Sequence, residues 1–156
     1  MIKLARIDYR LLHGQVVFSW TKTLGINRII VVNHEAATDE FKKMSLNLAK
    51  PTGVKLNIFT VEEALSKMEK VEQLKENIMM IFGNTKETLA FCKVYSKIPE
   101  INYGGIPKSG EAKQFGSAIF LNEEEQNEAR ALKEMGVNQY IQQVPTSKSE
   151  DLNKLL

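Results

Sequence analysis

Short apolar runs recur along the chain with room for a helix between most of them, and this alternation restricts the fold more than any other feature. The runs are Ile2 to Ile7, Arg28 to Asn33, Val54 to Phe59, Asn77 to Phe82, Glu100 to Tyr103, Ser117 to Leu121 and Gln139 to Gln142. Each has strand length and is bounded by polar or turn-forming residues, the pattern of a strand buried on both faces. A β-α-β-α rhythm with short connections builds a parallel sheet covered by helices. The expected fold class is therefore α/β, a single-domain open, mainly parallel β-sheet with helices on both faces. No repeat or linker divides the 156 residues, so one domain over 1–156 is expected.

The intervening segments carry helix signals. Val16 to Leu24 runs into Gly25. Thr38 to Lys50 places Phe41, Met44 and Leu48 at helical spacing and stops before Pro51. Glu62 to Lys70 carries Ala64, Leu65 and Met68 on one side, and Thr85 to Lys97 offers Leu89, Cys92 and Tyr95 for a buried face, with Asn84 or Thr85 as its cap. After Leu121, Asn122 is positioned as a cap, Glu123 to Glu125 face the positive helix end, and Gly136 closes the segment. Lys148 to Leu156 reads as a short helix with Leu152, Leu155 and Leu156 turned inward. The stretch Ile101 to Lys113 holds Gly104, Gly105, Pro107 and Gly110, too many breakers for a helix, so an irregular connection or hairpin is expected there.

Composition narrows the function. The apolar fraction of 43% and charged fraction of 26% are those of an ordinary globular protein, and the net charge of +2 comes from interspersed Lys and Glu without a basic block. This leaves no footprint for nucleic acid or an anionic membrane surface. No apolar run approaches the roughly 20 residues that span a bilayer, and the chain opens into a strand rather than a leader, so a cytoplasmic protein is expected. The single cysteine, Cys92, falls in a helical pattern and reads as a small core residue. Trp20, at helical spacing from Val16, Val17 and Leu24, also reads as core.

The chemistry concentrates in Arg6-Ile7-Asp8-Tyr9-Arg10-Leu11-Leu12-His13-Gly14-Gln15-Val16. His13 falls in a strand-to-helix loop, which in a parallel sheet lies at the carboxyl ends of the strands, where ligands bind. Imidazole offers an unprotonated nucleophilic nitrogen near neutral pH, as an acceptor of phosphoryl groups must. Arg10, three residues earlier, supplies a planar fork of donors suited to phosphoryl oxygens. Gly14 permits close backbone approach, and the N–H groups of Gln15 and Val16 at the helix start complete an anion cradle. Asp8 would repel phosphate directly, so its expected job is to orient Arg10 or to fix the imidazole tautomer. Arg6, out of phase with Ile7, points either to the loop or to solvent.

This string resembles the active-site signature R-I-D-x-R-L-I-H-G-Q-V of the EIIB components of the mannose/fructose/sorbose class of the bacterial sugar phosphotransferase system. Asn27 to Asn33 resembles the family's second strand, Asn102 to Gly105 its N-V-G-G turn, and the length fits a free-standing EIIB unit. The resemblance implies that His13 accepts a phosphoryl group from an EIIA partner and passes it to a sugar carried by the membrane EIIC and EIID subunits. It further implies that Arg10 is important for transfer, that no metal or organic cofactor takes part, and that the protein is peripherally associated with the membrane permease. Tyr9 stands where the family commonly has a second acid, and His34 where it commonly has another; both changes remove negative charge. His34 is a second candidate acceptor or proton carrier. Two alternatives stay open: a non-catalytic anion-binding or regulatory domain of the same fold, and a structural interaction subunit.

Overall fold

The computed structural model describes residues 1–156. Six helices and nine strands follow in the order β1 (Ile2–Asp8), α1 (Gly14–Leu24), β2 (Arg28–Val32), α2 (His34–Thr38), α3 (Glu40–Ala49), β3 (Lys55–Phe59), α4 (Val61–Gln73), β4 (Ile78–Phe82), α5 (Thr85–Val94), β5 (Glu100–Gly105), β6 (Lys113–Gly116), β7 (Ile119–Leu121), α6 (Glu123–Glu134), β8 (Asn138–Ile141) and β9 (Glu150–Asp151). The main sheet is ordered β3-β2-β4-β1-β5-β8-β9 and is parallel throughout except for β9. The expected class is the observed one.

Strand periodicity divides the core in two. Ala5, Ile7, Ile30, Val32, Ile78, Met80 and Phe82 point to one face, where α4, α5 and α6 contribute Met68, Phe91 and Leu132. Leu4, Ile29, Val31, Met79 and Ile81 point to the other, where α1, α2 and α3 contribute Trp20, Ala36 and Leu46. β4 is apolar at every position, and β2 from Ile29 to Val32, because both faces of the central sheet are covered. Helix ends follow their local signals. Thr60 with Glu63 and Asn122 with Glu125 form capping boxes, and Gly25 ends α1 with φ 62°. Cys92 is buried as expected, and desolvation pushes its thiol up to about 11. No helix is long and apolar enough to cross a membrane.

Three expectations change. The segment Lys148 to Leu156 is not a helix: Glu150 and Asp151 pair antiparallel with Ile141 and Tyr140, closing the exposed edge of β8. Leu152 is fully buried there, while Leu155 is 45% exposed. The helix expected over Thr38 to Lys50 is present as α3 from Glu40 to Ala49 and starts two residues later, because Asp39 caps it by accepting from the N–H groups of Phe41 and Lys42 while Thr38 ends α2. With that start Leu46 turns inward, and Phe41, Met44 and Leu48 stay on the outside at 74%, 58% and 82% exposure. Finally, Gly104 and Gly105 belong to β5, and the later breakers lead into a separate β6–β7 hairpin.

Because Leu152 anchors the tail in the core, Leu152→Ala is expected to lower stability by about 2–5 kcal/mol in urea unfolding. A change within about 0.5 kcal/mol would mean the tail is peripheral.

Candidate phosphoryl-transfer site

The loop after β1 is built by three local devices. Leu11 N–H donates to the Asp8 carbonyl at 3.0 Å, closing a turn, and Leu11 itself sits at φ 59°. That left-handed conformation costs a non-glycine residue about 1–2 kcal/mol, and such strain gathers at functional sites. Leu12 is buried in the core beneath α1 and pins the loop down. Gly14, at φ 35°, then starts the helix with open space where a side chain would project. His13 is thus left as the N-cap residue, exposed, with its imidazole free of any hydrogen bond.

The amide cradle differs in one member from the expected set. Val16 N–H donates to the His13 carbonyl at 3.0 Å and Val17 N–H to the same oxygen at 3.2 Å. Val16 is therefore engaged within the first helical turn. The N–H groups of Gly14 and Gln15 have no acceptor in the chain, and these are the donors available to an anion at this helix end.

Beside the loop lies an arginine–aspartate–arginine cluster. The Asp8 carboxylate accepts from Arg10 Nε at 3.1 Å, Arg10 Nη2 at 3.2 Å and the Arg10 backbone N–H at 3.1 Å, and from Arg6 Nη2 at 3.2 Å. Of the two roles expected for Asp8, its contacts are those that orient Arg10; it makes no hydrogen bond to His13. Arg6 points neither to the loop nor to solvent. It is 1% exposed, its Nη1 donates to Asn102 Oδ1 and, at 3.1 Å, to the Gln142 carbonyl, and its guanidinium lies 5.6 Å from the ring centre of Trp20. Burial lowers the Arg6 pKa from its ordinary value, with Asp8 opposing the shift; the hydrogen bond to Asp8 raises that of Arg10. Arg10 is the partly accessible member, with 26% of its side chain exposed.

Gly104 and Gly105 make room for both cations, a role that their sequence context did not reveal. A Cβ on Gly104 would fall 2.0 Å from Arg6 Nη2, and one on Gly105 would fall 3.2 Å from both Arg10 Nη2 and Asp8 Oδ1. The register sets Arg6 opposite Asn102 and Asp8 opposite Gly105. The bare backbone of β5 is therefore the surface on which the cluster lies.

A cleft of about 550 Å³ opens at the same edge of the sheet, among the ends of β1, β2 and β4, lined by Tyr9, Arg10, Leu11, His34, Asn84 and Glu87 among others. The loops after β1 and β2 lead to helices on one face, and the loop after β4, which lies between those strands, leads to α5 on the other, the place where open α/β sheets bind ligands. Glu87 ties two of its walls together, accepting from Asn33 Nδ2 at 2.8 Å, the His34 backbone N–H at 2.7 Å and Asn84 Nδ2 at 2.9 Å. Asn84 also caps α5 by accepting from Glu87 N–H at 2.8 Å. His34 is exposed at the start of α2, and its ring has no hydrogen-bond partner. A second cleft, of about 390 Å³, lies at the opposite edge, around Ile2, Tyr95 and Pro99, remote from this chemistry.

Gly104→Ala is expected to destabilise the fold by more than about 2 kcal/mol, because the added methyl overlaps a buried guanidinium that has no free direction to move. Gly105→Ala, meeting the partly exposed Arg10 at 3.2 Å, should cost less. Equal urea midpoints for the two variants would contradict this.

Comparison with known proteins agrees with the geometry. The family model described as "PTS system sorbose subfamily IIB component" matches residues 2–156. The sorbose-specific EIIB component of Lacticaseibacillus casei is 32% identical over 152 residues, covering 97% of this chain and 93% of that protein. The mannose-specific EIIAB component of Escherichia coli K12 is 31% identical over 146 residues, covering 94% of this chain and 45% of that longer protein. Among solved structures, the IIBSor domain of the sorbose permease from Klebsiella pneumoniae superposes with a TM-score of 0.91 at 30% identity, covering 99% of this chain and 94% of that one. The chain belongs to the sorbose-subfamily IIB components of the phosphotransferase system.

Proposed function

We propose that the chain is a phosphohistidine relay, working as one EIIB unit over 1–156, that accepts a phosphoryl group on His13 from a phosphohistidine of an EIIA partner and delivers it to a sugar held by membrane EIIC and EIID subunits. The observation that carries this reading is His13 itself. Its imidazole is exposed and unbonded at a helix N-terminus, with the open amides of Gly14 and Gln15 behind it and an arginine held by a buried carboxylate in the same loop. The relative named EIIAB supports an EIIA donor, and relatives named for sorbose, N-acetylgalactosamine, mannose and fructose support a sugar acceptor.

In the first transfer the lone pair of the His13 nitrogen forms a new P–N bond as the donor's P–N bond breaks and its electron pair returns to the donor ring. Each ring keeps its own N–H, so no base is required. Catalysis then consists of positioning and of matching charge on the phosphoryl oxygens. Of the five N–H bonds of a guanidinium, Asp8 takes two from Arg10, which leaves three for those oxygens. In the second transfer a sugar hydroxyl oxygen bonds to phosphorus as the His13 N–P bond breaks and its electron pair returns to the ring; His13 leaves as neutral imidazole and the hydroxyl proton passes to water. The relay acts in the cytoplasm, peripherally at the permease.

Incubation with phosphoenolpyruvate, the general phosphotransferase proteins and a cognate EIIA should add one acid-labile, base-stable phosphoryl group, read by intact mass. His13→Ala should add none while unfolding at the native midpoint, and Arg10→Ala should slow transfer roughly 100-fold. Phosphate binding by the native chain without an adduct, while EIIA is phosphorylated, would instead support a non-catalytic anion-binding domain.

A further inference from the structure

Tyr9 stands at the turn after β1 with 51% of its surface exposed, too open to contribute to the core. Its placement is nevertheless fixed. Its backbone N–H donates to the Gly105 carbonyl at 3.0 Å, and its Cδ1 would lie 3.5 Å from a Cβ built on Gly105, so the ring rests beside the bare backbone of β5. The Arg10 guanidinium carbon lies 5.5 Å from the centre of this ring. Asp8 holds the same guanidinium by its edge, through Nε and Nη2.

These two contacts restrain different motions. Hydrogen bonds in the guanidinium plane fix where the edge of the cation lies but allow it to rock about that edge. The Tyr9 ring beneath the guanidinium carbon attracts the cation and opposes the rocking. The chemistry of position 9 also bears on how many donors stay available. A carboxylate at this position would draw further N–H bonds of Arg10 to itself. An aromatic ring holds a cation through its π face and takes none. We propose that Tyr9 is a positioning residue for phosphoryl transfer, which holds Arg10 by its face and so keeps the three donors that Asp8 leaves free available to the phosphoryl oxygens.

The proposal rests on the relay reading above, and the test separates the two. Single-turnover transfer from phosphorylated EIIA is followed for the native chain, Tyr9→Phe and Tyr9→Leu over a range of EIIA concentrations. Tyr9→Phe, which keeps the π face, should match the native maximal rate. Tyr9→Leu should lower that rate about two- to fivefold without changing the EIIA concentration at half-maximal rate. In parallel, NMR of the Arg10 side chain should show Hδ and Hε shifted upfield by the ring in the native chain and in Tyr9→Phe, and unshifted in Tyr9→Leu.

Native maximal transfer by Tyr9→Leu would overturn the proposal and leave the relay standing. So would equal losses in both variants, which would assign the effect to the hydroxyl, or a loss confined to half-saturation, which would make Tyr9 a partner contact. If the native chain accepts no phosphoryl group at all, the relay reading falls and this role with it, even where the ring shift is present.

Discussion

The Asp8 carboxylate, 1% exposed and shared between Arg6 and Arg10, is the interaction on which the rest of the site depends. Two cations so close to one another repel, and taking either out of water is costly; a shared anion with good geometry offsets both effects. The arrangement is asymmetric. Arg6 is sealed beneath Trp20 and bonded to Asn102 and Gln142, so it serves the fold, whereas Arg10 reaches the surface, where it can serve chemistry. Arg6 and Asp8 together convert a flexible surface arginine into a fixed one. A fixed donor set is what phosphoryl transfer needs, because its transition state is stabilised chiefly by charge that is already in place.

The sheet makes this cluster possible. β1 lies between β4 and β5, so the loop that follows it leaves the centre of the carboxyl edge with strands on either side. Arg6 and Asp8 share a face of β1 because strand side chains alternate, and Arg6 fits on that face because α1 brings Trp20 over it while Gly104 leaves its position bare. Buried Leu12 holds the loop to the core, and the next residue, His13, is turned to solvent.

Much of this was legible in the chain. The central strands β2 and β4 announced themselves because both of their faces are buried, leaving apolar runs, and the helices of Asn122 and Asn84 because their caps are local chemistry. His13, Arg10 and Gly14 stood out because a phosphoryl acceptor needs those residue types in a strand-to-helix loop. What stayed hidden depends on partners distant in sequence. Nothing local tells that Gly104 must lack a Cβ for an arginine 98 positions earlier, or that Arg6 is buried rather than facing solvent. The tail misled because leucines at near-helical spacing also fit a two-residue edge strand followed by a turn. On α3 the apolar spacing was real, but the restart at Asp39 turned Leu46, rather than the stripe of Phe41, Met44 and Leu48, toward the core.

The most direct test is Asp8→Asn, which keeps the shape of the side chain but removes its charge and turns an N–H donor toward one of the two guanidiniums. Urea unfolding and single-turnover transfer from phosphorylated EIIA are measured on the same preparation. If Asp8 organises both arginines, stability falls by about 3–5 kcal/mol, as expected for a buried charge left without its partner. Under conditions where the variant remains folded, the maximal transfer rate falls at least about tenfold while His13 stays accessible. Native stability together with native transfer would show that neither the fold nor the chemistry depends on this carboxylate.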